Sequence, residues 1–231
     1  MSPTLPDVAM PQTTSYRLVN SKFPPISLFD DVANADEFEA LYALQSRTNP
    51  RIQNEVGNLR LLSRDEIPFG IRGCSYAVAP FTHINPDGSR FDAGNRGVLY
   101  LADRLETALA EVAYHQDRYW RRVSALKFDR LVFRSLACTW GPVTLADATR
   151  LAPDDLIYAS EDYTAARALG AVLRKAGKCG VQYHSVRQPG GVCWGLFTPK
   201  PVHGIVQCSH FEMIWDGQRI RAVHQVTSLG T

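Results

Sequence analysis

The sequence predicts an α+β fold in which short, mainly antiparallel strands form curved sheets with flanking helices. Three observations lead to this class. Strand-length apolar runs and amphipathic helical stripes follow one another without a regular strand–helix–strand succession. No Gly-x-Gly-x-x-Gly occurs, which disfavours a parallel dinucleotide-binding sheet. An Asp-Gly pair separates two strand-like runs near the C-terminus, as in a β-hairpin.

Composition indicates an ordinary globular protein. The 231 residues are 45% hydrophobic and 21% charged, with a formal net charge of +2. So small a charge argues against direct nucleic-acid binding, which needs a clustered basic excess. No run of eighteen apolar residues predicts a membrane span. The first residues lack the basic and apolar regions of a secretory signal, so we expect a cytoplasmic protein.

Cysteines and histidines point away from disulfides and metals. The five cysteines are odd in number and include no Cys-x-x-Cys, so we expect reduced thiols. Cys193 lies in an apolar run and is expected in the core. The six histidines form no His-x-x-x-His or His-x-His pair, so we expect no metal site.

The N-terminal region divides into an arm and the start of a domain. Residues 1–14 carry three prolines and no apolar period, so a flexible arm is expected there. The remaining 15–231 are expected to form one domain, whose first strand includes 16–19. Arg17 on this strand is equally well interpreted as a ligand-binding group or as an arginine on a wet face.

Two elements are predicted before the central stretch. A helix is predicted over 36–44, with Asn34 or Asp36 as its cap and apolar side chains on one face. A short strand is predicted at 74–78. A loop is predicted at 23–29, ahead of the helix.

The central stretch runs from Arg90 to Tyr119 and is predicted to form a loop, a strand at 98–102 and a helix. Asp103 is the predicted helix cap, with Glu106 closing a capping box. The helix has an apolar stripe with i, i+3, i+4, i+7 spacing, made by Leu105, Ala108, Leu109 and Val112. Glu111 lies on the flank of this stripe, about 100° from its neighbour, where its carboxylate can face a cleft.

The C-terminal half is predicted to mix strands with one helix. Ser160 is the predicted cap of a helix over 161–176, whose buried side consists of Ala166, Leu169, Gly170 and Leu173. A loop is predicted to begin at 144–149. Strands are predicted around 124–138 and at 192–197, 205–208, 211–215 and 220–226.

Arg90, Tyr100 and Glu111 are the residue types that NAD cleavage requires. An arginine fork binds the pyrophosphate, and an aromatic face holds the nicotinamide or the ribose. A carboxylate stabilises the oxocarbenium-like state at the ribose C1′. Spacing alone is more typical of a surface arginine, a half-buried tyrosine and a solvated glutamate.

The same stretch resembles the RES-domain family, which is named for its Arg, Glu and Ser. In that family the arginine precedes a Tyr-Leu-Ala or Tyr-Thr-Ala strand, and an Ala-Leu-x-Glu helix follows. Arg90, Tyr100 and Glu111 keep the intervals of ten and eleven residues. The family's serine lies in a Tyr-x-Ser-x-Arg segment before a glycine-rich strand, and Ser185 matches it. The similarity extends from about 16 to 197.

The resemblance implies a fold and a role for each matching residue. The implied core is similar to ADP-ribosyltransferases, with two small, curved, mainly antiparallel sheets that clasp NAD as the substrate. Arg90 and Arg17 would bind its pyrophosphate, and Tyr100 would stack on the nicotinamide end. Glu111 would stabilise the positive charge at C1′, and Ser185 would donate a hydrogen bond to the substrate.

The resemblance also implies a biological role. RES proteins are toxins that deplete NAD, as phosphorylases or glycohydrolases, and are neutralised by an Xre-like helix-turn-helix antitoxin. The acceptor stays open between water, phosphate and a protein side chain. A toxin that ADP-ribosylates one cellular protein and a non-catalytic nucleotide-binding module are the alternatives. This chain departs from compact members by its long interval between the two arginines, which suggests an insertion at about 30–75, near the site or at a partner-binding surface.

Overall fold

The computed structural model describes residues 5–23, 27–47 and 56–227. In these ranges the chain forms nine strands and five α-helices. The strands are β1 Asp7–Met10, β2 Thr13–Asn20, β3 Leu99–Ala102, β4 Asp129–Trp140, β5 Val143–Asp147, β6 Gly180–His184, β7 Val192–Leu196, β8 Val202–Trp215 and β9 Ile220–Val226. The helices are α1 Ser27–Asp30, α2 Ala35–Gln45, α3 Cys74–Thr82, α4 Leu105–Trp120 and α5 Thr164–Lys175. None of the described helices is both long and apolar enough to span a bilayer.

The strands follow the order β1-β5-β6-β7-β3-β2-β4-β8-β9. Neighbours are antiparallel except β5 and β6, which are parallel. The contact between β3 and β2 consists of a single residue pair, Tyr16 opposite Ala102. The predicted α+β class with mainly antiparallel strands is therefore confirmed. The two predicted small sheets occur as two halves of one strand order, and the narrow seam between β3 and β2 joins them.

Helices cover both faces of this sheet. One apolar core lies between the sheet and α1, α2 and α3, and it includes Phe29, Phe38, Phe81, Leu136 and Trp140. A second core lies between the opposite face and α4 and α5, and it includes Phe91, Ala108, Phe133, Leu169 and Tyr183. Both faces of the central strands are consequently apolar. Their sequences therefore lack the alternation of apolar and polar residues that is typical of a sheet with one exposed face.

The segment 74–78, predicted as a strand, is part of helix α3. Its short apolar run has no period that separates a buried strand from a buried helix. A tertiary contact decides the outcome, because the carboxylate of Asp30 accepts hydrogen bonds from the backbone N–H and the hydroxyl of Ser75, at 3.1 and 2.8 Å. Asp30 therefore satisfies an N–H of the first turn from forty-five residues away.

Other boundaries also differ from the predictions. Residues 7–14, predicted as part of a flexible arm, carry β1 and the start of β2, because β1 pairs with β5. The predicted loop at 144–149 includes most of β5 for the same reason. The predicted loop at 23–29 contains the start of α1, while 24–26 lie outside the described residues. The helix predicted over 36–44 is confirmed, and the Asn34 side chain caps it by accepting from the N–H of Glu37.

The two helices that flank the site start later than predicted. Helix α4 has Arg104 as its N-cap residue, and the Asp103 carboxylate accepts from the Thr107 hydroxyl at 2.7 Å, so the predicted capping box is wrong. Helix α5 begins at Thr164 and not after Ser160; the Asp162 carboxylate accepts from the N–H of Thr164 at 2.9 Å. The buried side predicted for α5 is confirmed.

The region at about 30–75 lies on the face of the sheet opposite to α4. Its buried residues belong to the core under α1, α2 and α3. None of its described residues lines the cleft that is presented below. This region was expected either near the site or at a partner-binding surface. The first of these two expectations is wrong.

Gly170 of α5 packs directly against the backbone at Phe91. A Cβ at this position would lie 2.2 Å from the Phe91 carbonyl oxygen. We expect Gly170→Ala to lower the free energy of unfolding by about 1–3 kcal/mol, because overpacking outweighs the roughly 1 kcal/mol that alanine adds to helix propensity. Urea denaturation measures the effect. Val172→Ala, at a 45% exposed position of the same helix, is the control and should change stability by about 0.5 kcal/mol or less.

Candidate active site

A cleft of about 640 Å³ opens at the seam between β2 and β3. Ligand sites in proteins commonly have volumes of roughly 300–1,000 Å³. The cleft is lined by side chains of β2, β3 and α4, by the 85–90 loop and by the start of α5. Four of the five residues predicted from the sequence line it, namely Arg17, Arg90, Tyr100 and Glu111. The seam is therefore where these distant parts of the chain meet.

The loop that carries Arg90 is fixed by the phenol of Tyr100. The Tyr100 hydroxyl accepts from the N–H of Phe91 at 2.9 Å and lies 2.8 Å from the Ser89 hydroxyl. Burial raises the pKa of Tyr100 to about 12, so the phenol stays protonated at neutral pH. Tyr100 thus holds the residues on both sides of Arg90, which is a structural task beyond the expected stacking role.

The turn after Arg90 is closed by a buried carboxylate. Asp92 is 5% exposed and accepts from the N–H groups of Gly94 and Arg96, at 2.8 and 3.1 Å. Gly94 has φ of 96° and its Cβ position would meet the Pro86 carbonyl oxygen at 2.3 Å, so only glycine fits. The loop predicted before the strand at 98–102 is confirmed.

Removing the phenol hydroxyl should loosen this loop. We expect Tyr100→Phe to lower the free energy of unfolding by about 1–3 kcal/mol, because the Phe91 N–H loses its partner. Chemical denaturation followed by fluorescence measures the change. Tyr119→Phe removes a hydroxyl for which no hydrogen bond is found among the described residues, and Tyr119 is 62% exposed, so it should be neutral. Equal effects of the two variants would contradict the anchoring role.

Arg90 is buried and partly committed to the protein. It is 7% exposed, and its Nη1 donates to the carbonyl oxygens of Ile157 and Ala159, at 2.7 and 3.1 Å. Its guanidinium lies over the Tyr163 ring at 4.6 Å from the centroid. Among the described residues, no hydrogen bond engages its Nε or Nη2. The Nε and Nη2 groups therefore form one free edge of the guanidinium, which can donate to an anion in the cleft.

Arg17 of β2 also lines the cleft. Its Nη1 donates to the Tyr100 carbonyl oxygen at a long 3.4 Å, and its buried Nε has no hydrogen-bond partner. Burial lowers the pKa of Arg17. An arginine with an unsatisfied buried donor is unfavourable unless another group completes its hydrogen bonds, so this side chain fits an anionic ligand better than a wet strand face.

Glu111 of α4 and Ser185, which follows β6, are in direct contact. The Ser185 hydroxyl donates to Oε1 of Glu111 at 2.6 Å. The Ser185 hydroxyl oxygen also accepts from the N–H groups of Arg187 and Gln188, at 3.1 and 3.0 Å. The single hydroxyl proton is therefore used on Glu111. In this structure Ser185 orients the carboxylate, whereas the family resemblance implies that its hydroxyl donates to the substrate.

A backbone strap, which we define as residues 157–163, precedes α5, and its last three residues line the cleft. The carbonyl oxygen of Ser160 accepts from the Tyr114 hydroxyl of α4 at 3.2 Å and from Nη2 of Arg187. The Arg187 guanidinium lies over the Tyr114 ring at 3.3 Å from the centroid. Together with the bonds from Arg90, these contacts fix the strap at the wall of the site.

Several residues that line the cleft are not among those predicted from the sequence. His115 and Arg118 of α4 follow Glu111 at i+4 and i+7, so they share its side of the helix. This spacing is visible in the sequence and could have revealed them. Arg167 of α5 also lines the cleft and donates to the carbonyl oxygens of Asp87 and Ser89, at 2.7 and 3.0 Å. Its role depends on backbone acceptors, which no sequence pattern marks.

Cys193 lines the floor of the cleft but is not a nucleophile. It is 2% exposed, as predicted for a core residue. Burial raises the pKa of Cys193 to about 12, so the thiol is neutral at physiological pH. The cleft combines the Glu111 carboxylate, which a hydroxyl fixes, with several guanidinium groups. This combination can stabilise a cationic carbon beside bound phosphates.

Comparison with known proteins gives a family, one relative by sequence and one similar solved structure. The family model described as RES domain matches residues 67–216. A protein described as uncharacterized protein y4oC, from Sinorhizobium fredii (strain NBRC 101917 / NGR234), is 31% identical over 219 residues, which cover 93% of this chain and 88% of that protein. A crystal structure of the M. tuberculosis MbcT–MbcA toxin–antitoxin complex aligns with a TM-score of 0.42 and 11% identity, over 96% of this chain and 87% of the other.

Proposed function

Because the chain belongs to the RES domain family, we propose that it is a toxin that degrades NAD by cleaving the nicotinamide–ribose bond. One observation carries the proposal. The Glu111 carboxylate is held by the Ser185 hydroxyl at 2.6 Å, in a cleft that Arg17 and Arg90 also line. The chemistry fits, since a fixed carboxylate next to cations can bind a dinucleotide and stabilise charge at its ribose.

In the proposed reaction the bond between the ribose C1′ and the pyridinium nitrogen breaks. Its electron pair leaves with nicotinamide, which becomes neutral, and positive charge develops at C1′ and the ring oxygen. Glu111 stabilises this charge and aligns the acceptor on the open side. Water gives ADP-ribose, phosphate gives its 1-phosphate, and a protein side chain gives a modified protein; the proton of the acceptor is lost to solvent.

The other residues bind and orient the dinucleotide. The free edge of Arg90 and the unsatisfied Nε of Arg17 supply donors for the pyrophosphate. The ring of Tyr100 lines the cleft beside them and offers a face to the nicotinamide or its ribose. We further propose, from the family resemblance, that an Xre-like antitoxin covers the cleft and blocks access of NAD.

Product analysis tests the proposal and separates its alternatives. Purified protein is incubated with NAD, with and without phosphate, and with a cell lysate. Free nicotinamide without labelled protein supports hydrolysis or phosphorolysis, and a dependence on phosphate identifies the acceptor. Labelled lysate protein indicates an ADP-ribosyltransferase toxin. Bound NAD without released nicotinamide indicates a non-catalytic module and would refute the proposed activity.

A further inference from the structure

Two arginines at the end of α4 line the cleft and are uncommitted. Arg118 lies in the last turn of the helix, and Arg122 follows one turn later. Across the described part of the chain, neither side chain makes a hydrogen bond, an ion pair or a ring contact. The other cleft arginines, at 17, 90 and 167, all donate to backbone carbonyl groups. The arginines at 118 and 122 are therefore the cations of the cleft with all of their donors free.

Arg121, which lies between the two uncommitted arginines in the sequence, is by contrast engaged in an ion pair. Arg121 forms an ion pair with Asp117, and it lines a separate groove beside Trp120 and Trp215. An uncommitted guanidinium keeps five donors in a planar fork, which matches the oxygens of a phosphate group. Two such groups one turn apart can share one phosphate. The position of the pair inside the cleft distinguishes it from an ordinary basic surface.

Distance from Glu111 indicates which phosphate the pair can reach. Arg118 lies seven residues after Glu111 on the same side of α4, a rise of about 10 Å. The nicotinamide-side ribose and its phosphate fill that interval. The arginine pair therefore lies at the distance of the second, adenosine-side phosphate. Arg17 and Arg90 lie beside Tyr100, because Arg17 donates to the Tyr100 carbonyl oxygen and the Tyr100 hydroxyl bonds to both chain neighbours of Arg90. Tyr119 also lines the cleft and is 62% exposed, so it offers an aromatic face to a base beyond the second phosphate.

We infer that Arg118 and Arg122 form a subsite for the adenosine-side phosphate, so that the cleft selects dinucleotides over mononucleotides. The inference rests on the proposed function for the orientation of the substrate. The acids of the cleft are Asp87 of the 85–90 loop, Glu111 of α4, and Glu161 and Asp162 of the strap. Within the described residues none of them forms a hydrogen bond or an ion pair with either arginine. The pair therefore remains available to the ligand.

Kinetics with two substrates test the selection. We expect Arg118→Gln/Arg122→Gln to lower kcat/KM for NAD by about tenfold to a hundredfold, because charge-assisted hydrogen bonds to a phosphate are lost. Nicotinamide mononucleotide lacks the adenylate, so its kcat/KM should change by less than about twofold. Arg121→Gln removes one arginine charge outside the cleft and should leave kcat/KM for both substrates unchanged. Equal losses for both substrates, or no loss for NAD, would overturn the inference.

Binding tests the subsite without any turnover. Calorimetric titration should give a tighter complex with AMP than with adenosine, and the double variant should lose that difference while Arg121→Gln keeps it. If the wild-type protein releases no nicotinamide but shows this pattern, the proposed function fails and the subsite stands. If AMP and adenosine bind equally to the wild-type protein, the subsite is refuted whatever the activity.

Discussion

Glu111→Gln should lower kcat for nicotinamide release by about a thousandfold or more, while the Kd for NAD changes by less than about threefold. The reason is that the developing charge at C1′ loses the carboxylate that faces it, whereas the phosphates and rings keep their contacts. Glutamine has the same shape, and its amide oxygen can still accept from the Ser185 hydroxyl, so the geometry of the 2.6 Å contact is retained. Single-turnover assays with an equilibrium titration separate the two quantities.

A matched control lies on the same helix. Glu106 is exposed in the first turn of α4 and does not line the cleft, so Glu106→Gln removes the same charge without touching the site. It should leave kcat unchanged. If Glu111→Gln stays active, or if the two variants lose activity together, the carboxylate has no direct part in the reaction and the proposed mechanism is wrong.

The parts of the fold that follow from local pattern were predictable. The buried stripe of α5 and the hairpin of β8 and β9 have clear periods and turn residues. Helix α3 was not predictable, because its apolar run is ambiguous and the group that caps it is Asp30, far away in the chain. Strand β5 was not predicted, because neither its sequence nor that of β1 has a strong strand pattern. Its formation depends on the pairing of these two distant segments.

For the site, residue types were easier to predict than contacts. Arg90 and Glu111 were assigned because their spacing to Tyr100 resembles that of the RES-domain family, and the structure brings them to one cleft. The pairing of Ser185 with Glu111 was expected only as proximity, because the direction of a hydroxyl proton depends on acceptors seventy-four residues away. The contacts of the strap were not predictable, since its acceptors are the carbonyl oxygens of 157, 159 and 160, which every sequence provides.

Ser185→Ala should lower kcat by about tenfold to a hundredfold with little change in KM. The Glu111 carboxylate would lose the hydroxyl that orients it, and misplacement of a catalytic group by about 1 Å costs up to roughly a hundredfold. The loop after β6 would also lose the acceptor of two N–H groups, those of Arg187 and Gln188. Steady-state kinetics on the folded variant measure the effect, and thermal unfolding shows how much of it is structural.

The two variants together test whether Ser185 acts through Glu111. In a Glu111→Gln background the carboxylate is already absent, so adding Ser185→Ala should reduce kcat by less than about threefold. Ser185→Thr keeps a hydroxyl at the same branch and should recover most of the activity. If the losses from Ser185→Ala and Glu111→Gln multiply, the serine acts on the substrate independently. Its hydroxyl must then turn away from the carboxylate during the reaction, and the role that the sequence first suggested would be restored.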